Sequence, residues 1–99
     1  MDLGLQERVV LITGAGGGAG PTVARTFADE GAFVALQHRE GSGSAARAKE
    51  TAAEIVATGG RGIAVSADLT STEQVVAMVE RVTVELGSVS VLVTATSAY

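Results

Sequence analysis

Four short apolar runs alternate along this chain with three stretches whose apolar positions recur every three to four residues. The first run, RVVLIT from Arg8 to Thr13, is continuous and rich in β-branched residues, the pattern of a strand covered on both faces. PTVARTFADEG follows, with Val23 and Phe27 at helical spacing, Ala24 and Ala28 beside them, and Gly31 as a stop. Pro21 suits a first helical turn, where a missing amide hydrogen costs little. Ala32 to Gln37 is a second strand, closed by the polar HREGSGS. A second helix is expected from Ala45 to Thr58, its inner stripe Ala48, Ala52, Ile55 and Val56 and its terminators Gly59 and Gly60. Gly62 to Ala67 forms strand three. Ser71 with Gln74, or Thr70 with Glu73, supplies a capping box for a third helix, which carries Val75, Val79, Val82 and Leu86 inward before Gly87 and leaves Val76 and Val84 off the stripe. Val89 to Ala95 is strand four.

A strict alternation of strand and helix is the mark of right-handed crossovers and a parallel sheet, so the pattern predicts one α/β domain over residues 1–99. Composition narrows this. Hydrophobic residues make up 46% of the chain but only Phe27, Phe33 and Tyr99 are aromatic, so the core is built from Val, Ala, Leu and Ile. A net charge of −4, with no clustered basic stripe, argues against a nucleic-acid partner. The amino end lacks the pattern of a signal peptide, and the apolar runs are too short to span a bilayer. Cysteine is absent, which excludes a disulfide framework and fits a cytoplasmic home.

The chemistry is concentrated in one place. Five of the thirteen glycines fall in the seven positions from Gly14 to Gly20, directly between strand one and helix one. Such a corner brings unpaired helix N-terminal amides and the positive end of the helix dipole to one point, which attracts an anion. Glycine lets the backbone turn tightly and lets a diphosphate approach closer than a Cβ allows. A nucleoside triphosphate loop needs a lysine after its last glycine; here Ala19 follows Gly18, Pro21 follows Gly20, and the first lysine is Lys49. A methyltransferase that binds S-adenosylmethionine uses a similar corner but places an acidic residue at the end of strand two. LQHRE offers Gln37, His38 and Arg39 there, with Glu40 late, and this reading stays open as a minor alternative.

Thr13, Gly14, Gly18 and Gly20 form TGxxxGxG, which resembles the cofactor motif of the short-chain dehydrogenase/reductase family. The resemblance extends through GAFVALQHR, DLT and SVLV. It implies a Rossmann-type parallel sheet of four strands in order 3-2-1-4 with three helices, the first two on one face and the third on the other. It also implies a nicotinamide dinucleotide. Gly14, Gly18 and Gly20 would line the turn, and the amides around Gly17, Gly18 and Ala19 would face the diphosphate. Asp68 and Leu69 match the pair that receives adenine, the plainer reading of Asp68 being a turn carboxylate. His38 stands where NAD-preferring members carry Asp, and Arg39 where many NADP-preferring members carry Arg, so NADP(H) is expected and NAD(H) is the alternative. The alternative is that Arg39 is a solvated loop cation, its charge partly offset by Glu40. His38, the lone histidine, is expected on a surface loop and given no chemistry of its own.

Thr94, Ala95, Thr96 and Ser97 replace the family's Asn-Asn-Ala-Gly, which stabilises the central sheet and touches the adenosine side, and Ser90 stands where aspartate is common. The family's hydride transfer needs a serine, a tyrosine and a lysine four positions after that tyrosine, all beyond strand four. Tyr99 is the only tyrosine and no lysine follows Lys49, so no catalytic residue is assigned. Two readings result: the cofactor-binding portion of an oxidoreductase, truncated after strand four, or a nucleotide-binding or interaction module without turnover. Either way strand four would be an open edge beside uncovered sheet, and self-association is expected.

Overall fold

The computed structural model describes residues 4–14, 18–41 and 43–95. Seven elements alternate as the pattern predicts: β1 (Val9–Thr13), α1 (Gly20–Asp29), β2 (Phe33–His38), α2 (Gly43–Ala57), β3 (Arg61–Ser66), α3 (Thr72–Glu85) and β4 (Val89–Thr94). The strands form one parallel sheet in the order β3-β2-β1-β4. Its register pairs Val10 with Val34 and Leu11 with Ala35 on one side of β1, and Leu11 with Leu92 on the other. Between Val9 and Val10 the register against β4 shifts, so Val9 faces Val89 while Val10 faces Val91.

All five residues of β1 are buried, because helices cover both faces of the central strands. Val10, Ile12, Val34 and Leu36 point to one face and meet Ala24 of α1 and Ala48, Ala52 and Ile55 of α2. Val9, Leu11, Ala35 and Val65 point to the other and meet Met78, Val82 and Leu86 of α3. Each large aliphatic side chain so buried contributes about 1.5–3 kcal/mol relative to exposure. The alanines of α1 and α2 let those helices sit close to the sheet and to one another.

Several side chains depart from the expected stripes. In α2, Thr51 is buried and Val56 is 55% exposed. The Thr51 hydroxyl donates to the Arg47 carbonyl at 2.8 Å, so its polar atom is satisfied within the helix and its methyl group is free to pack. In α3, Met78 takes the place expected for Val79: the long thioether chain reaches the sheet at 4% exposure, while the short Val79, on the flank of the stripe, stays 38% exposed. Val76 and Val84 lie off the stripe as expected, both at least half exposed. The capping box is half made. Ser71, in an extended conformation, accepts from the Gln74 amide at 3.3 Å, but the Gln74 side chain turns to the Asp68 amide at 2.8 Å rather than to Ser71.

β2 also ends one residue later than expected, His38 pairing with Ser66. His38 is therefore no surface-loop residue: it is 3% exposed, with Nδ1 3.2 Å from the Arg39 carbonyl oxygen. Extending the strand by one residue brings its side chain under cover of the same face as Leu36.

Candidate dinucleotide site

All four strands run in the same direction, so their carboxyl ends share one edge of the sheet. Along that edge stand Thr13 and Gly14, then His38 and Arg39, Asp68 and Leu69, and Thr94 and Ala95. This is where an open parallel sheet takes its ligand, beside the central strand at which the chain order reverses. Gly17, expected to present an amide to phosphate, lies outside the described residues, as do Thr96 and Ser97.

Gly14 turns the chain out of β1 at φ 73°, a conformation glycine adopts at little cost and other L residues avoid. Its amide is committed inward, donating to Gln37 Oε1 at 2.8 Å. Its part is to turn rather than to donate to a ligand.

The start of α1 is open. Ala19 stands at the N-cap with no side-chain cap, and the first turn holds no acidic residue. α3 differs on both counts, with Ser71 capping it and Glu73 in its first turn. An uncapped helix N-terminus leaves amides and a positive dipole end for something other than the protein's own side chains. Pro21 removes one donor from that turn. Gly18 is exposed, its φ lies outside the left-handed region, and a Cβ added to it would meet nothing within 4 Å. Neither backbone strain nor internal packing demands glycine at position 18, whereas close approach by an external group would.

The opposite side of the edge is polar and organised. Asp68 is exposed and binds Thr70 through Oδ1, accepting from its amide at 2.9 Å and its hydroxyl at 2.6 Å. The two Thr70 bonds, the side-chain one first, hold the Asp68 carboxyl below its ordinary value against an opposing effect of desolvation, and the Arg39 guanidinium makes a lesser contribution in the same direction as Thr70. The turn-carboxylate reading of Asp68 thus describes Oδ1. Leu69 is 45% exposed and gives this side an apolar surface. Thr13 is buried and pairs with the exposed Thr94, while the Ala95 amide donates to the Thr13 carbonyl at 2.9 Å. Ala95 is thereby held against the end of β1 even without the Asn-Asn pair.

Hollows border the fold among the described residues. A cleft of about 240 Å³ adjoins Gly18 and Pro21 and is flanked by Arg25 and Arg47. A larger one, about 420 Å³, lies at the opposite edge among Glu7, Asp29, Phe33, Gly59 and Arg61. Both are lined by charges of either sign, Glu50 joining the arginines of the first and Arg61 the acids of the second; the second lies at the carboxyl ends of α1 and α2, where the helix dipole disfavours an anion.

Gln37 was not singled out by sequence reasoning as a site residue in its own right. It is 2% exposed, accepts from Gly14 and donates to the Ala67 carbonyl at 2.9 Å. The signal was a long amide at the end of an otherwise apolar strand. With both ends of the amide used inside the protein, Gln37 is not placed to bind a ligand itself.

Comparison with known proteins agrees with this geometry. The family model for short chain dehydrogenase matches residues 8–98. A 1-cyclohexenylcarbonyl-CoA reductase from Streptomyces collinus is 39% identical over 82 residues, which cover 83% of this chain and 28% of the reductase. The crystal structure of a blue fluorescent protein from a metagenomic library, in complex with NADPH, superposes with a TM-score of 0.81 at 35% identity, over 89% of this chain and 35% of that one. A short chain dehydrogenase from Burkholderia cenocepacia in complex with NADP gives 0.79 at 36% identity, again over 89% and 35%. The chain therefore spans about a third or less of the length of these proteins. Because the family match runs through every strand and helix from β1 to β4, and not through the glycine corner alone, the chain belongs to the short-chain dehydrogenase/reductase family.

Proposed function

We propose that residues 1–99 are the NADP(H)-binding portion of a short-chain oxidoreductase that moves hydride between the nicotinamide and a carbonyl or alcohol. The observation that carries this is the glycine corner: an uncapped helix start reached through Gly18, where a Cβ would stand in open space facing no protein atom. The amides from Gly18 to Gly20, with that of Gly17, hold the diphosphate. Gly14 sets the turn. Asp68 and Leu69 receive adenine, while Thr94 and Ala95 border the adenosine side. Arg39, exposed at the end of β2, meets the 2′-phosphate, which favours NADP(H) over NAD(H). His38, buried beneath it, supports the strand end and leaves no carboxylate there to repel that phosphate. The names of the two NADP(H)-bound structural neighbours support the same choice.

Bound nicotinamide supplies a hydride donor or acceptor; the residues of this chain bind and orient it. A tyrosine followed four positions later by lysine does not occur within these residues, so the reading is of binding without turnover by the chain alone. The cysteine-free, acidic sequence fits work in the cytoplasm on small molecules rather than on nucleic acid. Titration calorimetry tests the reading. NADPH should bind more tightly than NADH, S-adenosylmethionine should not bind, and no carbonyl substrate should be reduced; failure of both dinucleotides to bind would refute it.

A second proposal concerns association. β4 is an edge of the sheet, and Leu92 is 64% exposed on the face that α3 only partly covers. We infer that the 99-residue chain self-associates through this edge.

A further inference from the structure

The side-chain amide of Gln37 is the one polar link, among the described residues, that reaches from the end of β2 to the ends of both neighbouring strands. Its Oε1 receives the Gly14 amide at 2.8 Å and its Nε2 donates to the Ala67 carbonyl at 2.9 Å. It is 2% exposed, its bond to Ala67 buried and that to Gly14 partly buried, so water competes little with them. Only one orientation of the amide satisfies both partners, since Gly14 offers a donor and Ala67 an acceptor. Immediately beyond these atoms the chain enters the glycine corner on one side and the Asp68 loop on the other. The Asp68 loop is tied in turn by Ala67 N to the His38 carbonyl at 3.0 Å and Asp68 N to Gln74 Oε1 at 2.8 Å.

We propose that Gln37 is a positioning residue, a buried strut whose amide sets the spacing between the diphosphate corner and the adenine loop and so controls dinucleotide affinity without touching the dinucleotide. This rests on the cofactor-binding reading above. It gives a physical reason for placing a long amide, with its burial cost, at the end of a strand that is otherwise apolar. It also explains why the Gly14 amide is withdrawn from the ligand: that bond locks the turn whose later amides do the binding.

Gln37→Glu is nearly isosteric and keeps an acceptor for Gly14, but it sets a carboxylate against the Ala67 carbonyl and removes the donor. The expected result, in the full 99-residue chain below its unfolding temperature, is a Kd for NADPH raised about tenfold. Amide resonances of Asp68 and Leu69 should shift while those of α2 stay in place. A purely structural role would lower Tm and leave the affinity of the folded protein unchanged, and that result would overturn the proposal. Should Gln37→Glu fail to fold, amide exchange in the unaltered chain decides. Protection of Gly14 N–H comparable to that of β1 supports the strut, and rapid exchange overturns it. Absence of NADPH binding by the unaltered chain would instead count against the cofactor reading, since the Gly14 exchange measurement stands without any ligand.

Discussion

At the scale of single residues, the question is which glycines serve the fold and which serve a ligand. Gly14 stands at φ 73°, so the fold itself requires it. Gly18 carries no such requirement, and a Cβ there meets nothing within 4 Å. Gly18→Ala should therefore leave Tm unchanged or raise stability by about 0.4–1 kcal/mol through the unfolded chain, while weakening NADPH binding about tenfold. Calorimetry of the two chains side by side checks both halves; equal affinity would mean that no phosphate approaches this backbone. Arg39 poses the complementary question of charge. Arg39→Ala should cost about tenfold in NADPH affinity, from loss of a charge-assisted bond, and little in NADH affinity. If the two dinucleotides lose equally, the arginine does not read the 2′-phosphate.

At the scale of elements, the contrast between two helix starts separates stability from binding. α3 is closed by Ser71 and carries Glu73 against its dipole, whereas α1 opens on Ala19 with neither device. Ser71→Ala removes the cap and should destabilise the chain by about 1 kcal/mol, a fall in Tm of about 4–8 °C for a domain of this size. Dinucleotide affinity, measured well below that temperature, should fall less than in Gly18→Ala, because the diphosphate amides belong to α1 and the Ser71 cap reaches the site only through the Asp68 loop. The half-made capping box carries the same lesson. Gln74 pairs with Ser71 by spacing, yet its side chain serves Asp68, because the loop before α3 curls back over the helix start.

At the scale of the whole molecule, coverage of the sheet is uneven. α1 and α2 pack on one face, with Arg25 of α1 paired to Glu54 of α2 at 2.8 Å, and α3 stands alone on the other. The alternating burial of β4 shows the consequence, its outer positions Ser90, Leu92 and Thr94 all exposed. Leu92→Lys should reduce association of the 99-residue chain, as followed by sedimentation, and leave NADPH affinity unchanged, since position 92 lies inside the strand and away from the carboxyl edge. A chain that sediments as a monomer before the substitution would disprove the association.

Hydrophobic periodicity and the placing of glycines were enough to give the seven elements, their order along the chain and the position of the glycine corner. Both are local properties: a run covered on two faces must be apolar throughout, and a tight turn into a helix needs residues without a Cβ. Local spacing does not say which of two neighbouring apolar residues reaches the sheet, so Met78 displaced Val79 and Thr51 displaced Val56. It also does not say how far a strand is paired, and His38 went inside because Ser66 lay opposite it. The double role of the Gln37 amide depended on Gly14 and Ala67, which are 23 and 30 residues away, arriving at its two ends together. Contacts across that separation arise only when the sheet closes. Sequence pattern therefore located the glycine corner, and tertiary packing decided which side chains hold it in shape.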